Sequence, residues 1–321
     1  MKRWMSRWLA AAGLVMALGM PAHAAQLLIP VGRVVGLSLS EGTVTVAAFH
    51  ESCGAAAREA GLQIGDEIES IDGHPVDSAS DLYEALKRSG GTVTVTVCRE
   101  GKPQQLRLCP AITAEGPRLG VYIREGISGI GTVTYYDPDS GAFGALGHGI
   151  SHRRGGVAPM DRGWVYRAAV ESVRRGRCGE PGQLRGAVQS QTPLGSLTAN
   201  TPFGVFGTGA EWTGEALPVA SAGEVRPGKA TILSNISGED VEFFDAQIVK
   251  CYDHDPATGR DMLLRITDPD LLDATGGIVA GMSGSPIIQD GKLVGAVTHV
   301  LVNDPTRGYG IFIENMLEAA G

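Results

Sequence analysis

Between residues 155 and 240 glycine and proline interrupt the chain so often that no long amphipathic helix fits. The runs left between them are short and β-type. Such runs bury apolar surface by pairing as strands, joined by the tight turns that glycine permits. The same grammar continues toward the C-terminus and closes with a short helix near residues 314–320. Many short strands and few helices predict a β-barrel or sandwich in this part of the chain. With 321 residues, 43% hydrophobic and 19% charged, the chain is globular in composition and long enough for about two domains.

The first 24 residues stand apart. Lys2, Arg3 and Arg7 form a basic start, Trp8 to Met20 is an apolar run, and Ala22-His23-Ala24 fits a small-x-small cleavage site. That layout predicts a secretory signal or an N-terminal membrane anchor over residues 1–24. Residues 25–112 read as a small α+β unit. Gly42 to Phe49 (GTVTVAAF) is a strand candidate and Ala55 to Ala60 a short helix stopped by Gly61. The string GLQIGDEIESIDGHPV follows, with turns at Gly65-Asp66 and Asp72-Gly73. Ser80 suits the N-cap of a helix Asp81 to Arg88, with Leu82 and Leu86 on one face. Strands Thr92 to Cys98 and Gln105 to Leu108 close the unit. This order, and GLQIGDEIESIDGHPV above all, resembles a PDZ domain of the kind attached to bacterial proteases. The resemblance implies capture of an extended peptide end by strand addition. It puts the carboxylate-binding loop on Val35, Gly36, Leu37, Ser38 and Leu39.

Net charge is −8, with no basic patch interleaved with aromatics, so no nucleic-acid partner is expected. Cys53, Cys98, Cys109, Cys178 and Cys251 are odd in number and fit no metal-site spacing. No metal and no cofactor are expected.

The chemistry gathers near the C-terminus. Gly281-Met282-Ser283-Gly284-Ser285-Pro286 precedes a strand Ile287 to Gln289, an Asp290-Gly291 hairpin turn and a return strand Lys292 to Val300. Two glycines around a serine let the backbone turn tightly and leave room for a substrate carbonyl. Ser283 is then a candidate nucleophile, and the N–H groups of Gly281 and Ser283 the natural oxyanion donors. The string resembles the serine motif of chymotrypsin-like proteases, with Ser285 in place of the final glycine.

A serine needs a base. His148, in the glycine-flanked GALGHGI, suits a cleft. His299 on the return strand is a rival, and His152 is a near neighbour of His148. His50 and His74 belong to the PDZ-like part, and His254 to a polar turn. For the acid that orients the base, Asp268 stands at the end of the apolar stretch LLRITDPD; Asp245 and Asp137 are alternatives.

Taken together, the leader, the PDZ-like unit, FGALGHGI, ITDPDLL and TGGIVAGMSGSPIIQDGKLVGAVTHVLVNDPTRGYGIFIENML resemble the stage IV sporulation protein B peptidase family over essentially the full chain. The resemblance implies a mainly β protein with a few short helices: a PDZ-like α+β domain over 25–112, then a chymotrypsin-like β-barrel peptidase domain over 113–321. It implies a serine endopeptidase with the triad His148, Asp268 and Ser283. The family is exported across the inner forespore membrane into the intermembrane space. Its members cleave themselves and an inhibitory membrane-protein partner of an intramembrane metalloprotease, so that a late sigma factor is processed. The other reading is a PDZ-bearing binding protein on a catalytically silent peptidase fold.

Overall fold

The computed structural model describes residues 26–152, 155–254 and 258–321. The leader expected over 1–24 lies outside the described residues. Among the described residues no helix is long and apolar enough to cross a membrane.

The described residues open with β1 (Leu27–Pro30) and β2 (Val34–Phe49). A small unit follows: α1 (Ala55–Glu59), β3 (Glu67–Ile71), β4 (His74–Pro75), α2 (Ala79–Arg88), β5 (Val93–Arg99), β6 (Lys102–Leu108) and the hairpin β7 (Ala111–Thr113) and β8 (Gly116–Arg118). Helix α2 starts where Ser78, not Ser80, accepts a hydrogen bond from the Asp81 N–H, and it buries Leu82, Ala85 and Leu86. These three pack with Val44, Ile68, Ile71, Val93, Val95 and Val97 into a core of their own.

The chain then returns as β9 (Val121–Tyr136), β10 (Ala142–Ala145), β11 (Arg162–Arg174), β12 (Gln183–Thr201), β13 (Gly204–Thr208) and β14 (Leu217–Pro218). Strand β2 pairs with β9 and β11, β11 with β12, β12 with β13, β13 with β10, and β10 with β9. Those six pairings close a ring, so this is a six-stranded barrel. Strands β15 (Gly228–Ser237), β16 (Asp240–Cys251), β17 (Met262–Ile266), β18 (Pro286–Gln289), β19 (Lys292–Leu301) and β20 (Asp304–Phe312) form a second closed barrel. Helix α3 (Pro269–Thr275) leads from β17 toward β18, and α4 (Ile313–Ala320) ends the chain. Two antiparallel barrels side by side are the chymotrypsin-like architecture expected from sequence.

The path of β2 and β9 departs from the sequence reading. Residues 34–40 lie between β9 and β11 as a barrel strand. The same strand runs on past a bulge after Ser40 to pair Thr45–Phe49 with residues 121–124 of β9. The PDZ-like unit therefore sits within the first barrel's β2–β9 pair. Of the residues read from sequence with the PDZ-like part, 27–30 form β1 beside the end of β9, and 34–40 are a strand of the barrel. The sequence hides this because one uninterrupted strand, kinked at Gly42 (φ +66°), carries no linker composition.

Candidate active site

The two barrels meet around Ser283 and His148. The segment Gly276–Ser285 joins α3 to β18 and is held from both sides. The N–H of Thr132 on β9 donates to the Ser283 carbonyl (3.2 Å), and the Thr132 hydroxyl donates to the Gly281 carbonyl (2.8 Å). Leu184 N–H on β12 donates to the Ala280 carbonyl, and the N–H of Gly284 to the Val297 carbonyl. Gly284 has φ +96°, and a Cβ there would lie 2.0 Å from the Thr132 carbonyl oxygen. Only glycine lets the loop come this close to β9.

His148 arrives from the other barrel. Leu146 and Gly147, just after β10, both have left-handed backbone (φ +70° and +67°). Such a conformation at leucine costs roughly 1–3 kcal/mol and persists where surroundings fix it. Here the Leu146 N–H donates to the Thr132 carbonyl (3.1 Å), and the side chain is buried. Gly147 lies against Thr298, Ile311 and Ala296 of the second barrel.

Ser283 and His148 meet neighbouring residues of β19. The Ser283 hydroxyl donates to the Thr298 carbonyl (2.6 Å). The His148 ring lies 5.0 Å from that of His299, tilted by 37°. Among the described residues no hydrogen bond joins Ser283 to His148. The N–H groups of Gly281 and Ser283 have no acceptor among the described residues either, so both are free for a negative oxygen.

Burial pushes the His148 imidazole below the usual histidine value, against a smaller upward pull from the Gly149 carbonyl. Nδ1 of His148 lies 3.0 Å from that carbonyl oxygen. A protonated Nδ1 donating there leaves Nε2 as the bare acceptor, the tautomer a general base needs. His299 is pushed down to about 4, first by burial and then by charge on His148 and Arg260. The two imidazoles are thus neutral near pH 7.

The third member of the expected triad stands elsewhere. Asp268 is the N-cap of α3. Its Oδ1 accepts from the N–H groups of Asp270 and Leu271, and its Oδ2 from that of Asp245. All three bonds are to main chain, and none reaches His148. The acceptor at His148 Nδ1 is a carbonyl rather than a carboxylate. Asp137 closes its own turn through Ser140. His254 bonds the buried Asp261 (2.8 Å) beside Asn315 of α4. His152 lies 3.6 Å from Glu41, and His74 is exposed on β4.

The family model for SpoIVB peptidase S55 matches residues 115–317. The chain belongs to this family. This S55 member is a serine peptidase. A PDZ domain model matches residues 53–99. Among solved structures, the active form of the Rv3671c protease from M. tuberculosis is similar at 16% identity and a TM-score of 0.37, over 62% of this chain and 75% of that one. The inactive form of the Rv3671c protease is similar at 15% identity and 0.35, over 61% and 85%.

In this S55 peptidase the predicted carboxylate-binding loop is corrected by the strand pairings. Val35, Gly36, Leu37, Ser38 and Leu39 are inside β2, with partners on β11 and on β9. Gly36 faces Tyr166 on one side and Ile130 on the other, so main-chain groups here are engaged within the sheet. A groove of about 600 Å³ lies instead between α2 and the start of β9. Leu82, Leu86, Leu119, Val121 and Ile123 line it, with Tyr83 and Arg118 at its rim. Val121 and Tyr122 pair with β2 on one edge only. The signal was present in the sequence. Leu119-Gly120-Val121 repeats the apolar-Gly-apolar pattern of Val35-Gly36-Leu37, and Gly120 takes φ +79°. Thr298, whose carbonyl holds the serine, carries no residue-type signal, because only its main chain acts.

Proposed function

We propose that this S55 peptidase is an exported signalling endopeptidase that cuts itself and an inhibitory membrane-protein partner of an intramembrane metalloprotease, so that a late sigma factor is processed. It works in the intermembrane space reached across the inner forespore membrane, and the groove between α2 and β9 captures an extended peptide segment of the target. The observation that carries the catalytic part is that Ser283 and a neutral, Nδ1-bonded His148 meet neighbouring residues of β19, the serine at Thr298 and the histidine at His299.

The steps follow from that geometry. Rotation about the Cα–Cβ bond swings the Ser283 hydroxyl from the Thr298 carbonyl toward Nε2 of His148. Side-chain rotations of this kind take picoseconds to nanoseconds when unhindered. The oxygen attacks the scissile carbonyl as its proton passes to Nε2. The new oxyanion receives hydrogen bonds from the N–H groups of Gly281 and Ser283. His148 then gives the proton to the departing amine, and water repeats the sequence on the acyl-enzyme.

The test compares wild type with Ser283→Ala, using a fluorophosphonate probe and mass spectrometry of self-cleavage. Labelling and self-cleavage in wild type alone are expected; equal behaviour of the two proteins would overturn the catalytic assignment. For the signalling role, Ser283→Ala in the source bacterium is expected to stop processing of a late sigma factor during sporulation. A source cell that forms no spores, or processing that continues, rejects that part while leaving the catalytic part standing.

A further inference from the structure

Thr132 is fully buried, yet each of its polar groups is spent on catalytic segments. Its hydroxyl bonds the Gly281 carbonyl, its N–H the Ser283 carbonyl, and its own carbonyl the N–H of Leu146. One residue of β9 thereby touches both ends of the oxyanion segment and the strained turn that delivers His148. Nothing about a threonine mid-strand, in a run of Gly-Thr-Val-Thr, marks it for such a role in the sequence.

We infer that Thr132 is a positioning residue for the oxyanion hole, and that its hydroxyl is the group responsible. The inference rests on the serine-peptidase reading of Ser283. The donors of the hole are the N–H groups of Gly281 and Ser283. The plane between Gly281 and Met282 lies between them, and glycine at 281 (φ +102°) resists its rotation little. Turned over, that plane points the Gly281 carbonyl into the hole, where an acceptor would repel the developing oxyanion. The Thr132 hydroxyl holds this carbonyl toward β9. The Thr132 N–H fixes the Ser283 carbonyl, two residues further on. Removing the hydroxyl leaves the Gly281–Met282 plane held only at its far side, where the Met282 N–H donates to the Val279 carbonyl (3.1 Å), and the Gly281 carbonyl is then the less restrained end. That selectively weakens a step in which negative charge develops, not binding of the peptide.

Thr132→Val keeps the shape and loses the hydroxyl; Thr132→Ser keeps the hydroxyl and loses the methyl. The second-order rate of fluorophosphonate labelling is measured for both, beside wild type and Ser283→Ala, with kcat and KM on a cleaved peptide and with thermal unfolding. The expected result for Thr132→Val is a fall of about ten- to a hundred-fold in labelling and in kcat, with KM within about threefold. Thr132→Ser is expected to restore labelling to within about threefold of wild type. Equal labelling by Thr132→Val and wild type overturns the inference. So does a Thr132→Val loss that falls on KM alone, or a Thr132→Ser protein as slow as Thr132→Val. If Thr132→Val does not fold, Thr132→Ser decides: near-wild-type labelling supports the hydroxyl, and a loss beyond tenfold assigns the site to packing. A wild type that labels no better than Ser283→Ala overturns the serine reading itself, and this inference with it.

Discussion

His148, the proposed base, is half-hidden, and the sign of the effect is testable. Burial disfavours the imidazolium, so its pKa falls below the ordinary ~6.5. Catalysis needs the neutral ring. The acid limb of kcat/KM is therefore expected below pH 6.5, as read from a pH–rate profile on a peptide substrate. A limb at 6.5 or above would mean that the ring is hydrated. Stability follows the same direction. In the unfolded chain His148 and His299 take up protons below about pH 6.5, while in the fold they do so only at lower pH. The unfolded state then binds more protons, so their contribution is fully present above pH 6.5 and is lost as pH falls toward 4. Chemical denaturation at pH 7 and pH 5 reads this as a lower midpoint at pH 5. Ser283 and His148 were both legible in the sequence because glycines flank them, and glycine in a cleft is a strong local signal. The carbonyls of Gly149 and Thr298 were not legible. They act through main chain, which every residue has.

Helix α3 has seven residues, and what precedes it decides its place in the molecule. Asp268 caps it, Pro269 sits at its first turn, and Gly276 ends it with left-handed backbone (φ +76°). The loop bearing Ser283 begins at that glycine. The Asp-Pro-Asp string served two readings, a turn opener and an orienting carboxylate, and the hydrogen bonds favour the cap. Asp268→Asn keeps an acceptor for the helix N–H groups but turns an amide donor toward the Asp245 N–H. It is expected to cost about 1–2 kcal/mol in denaturant titration, while kcat of the folded enzyme stays within tenfold of wild type. A loss near 10⁴ in kcat with unchanged stability would return the carboxylate to the triad. Other elements were plain in sequence. Asp290 and Gly291, both with positive φ, make the two-residue turn expected between β18 and β19. The long strands β2, β9 and β12 were not, because bulges break the alternation that marks a strand.

At the scale of the whole molecule, a β-barrel or sandwich followed from glycine and proline spacing, the chymotrypsin-like plan from the family resemblance, and the PDZ-like unit from one compact string. Their connection did not follow, since a strand shared by two units looks like a strand. That sharing makes β9 a ruler. The groove beside α2 lies at Val121 and the nucleophile loop at Thr132, eleven residues along one strand hydrogen-bonded to β2 between them. At about 3.3 Å per residue the separation is up to about 36 Å. With no flexible tether, it stays the same from one binding event to the next. A peptide held by its end in the groove therefore extends for up to some ten residues before one of its bonds reaches Ser283. Six-residue peptides that occupy the groove are expected to bind by calorimetry and emerge uncut by mass spectrometry. Peptides of about twenty residues with the same end are expected to be cut near the far end. Cleavage at a spread of distances from the captured end would mean that the two units move independently. What reads as recognition at one end of β9 is, at the other, a choice of which bond is broken.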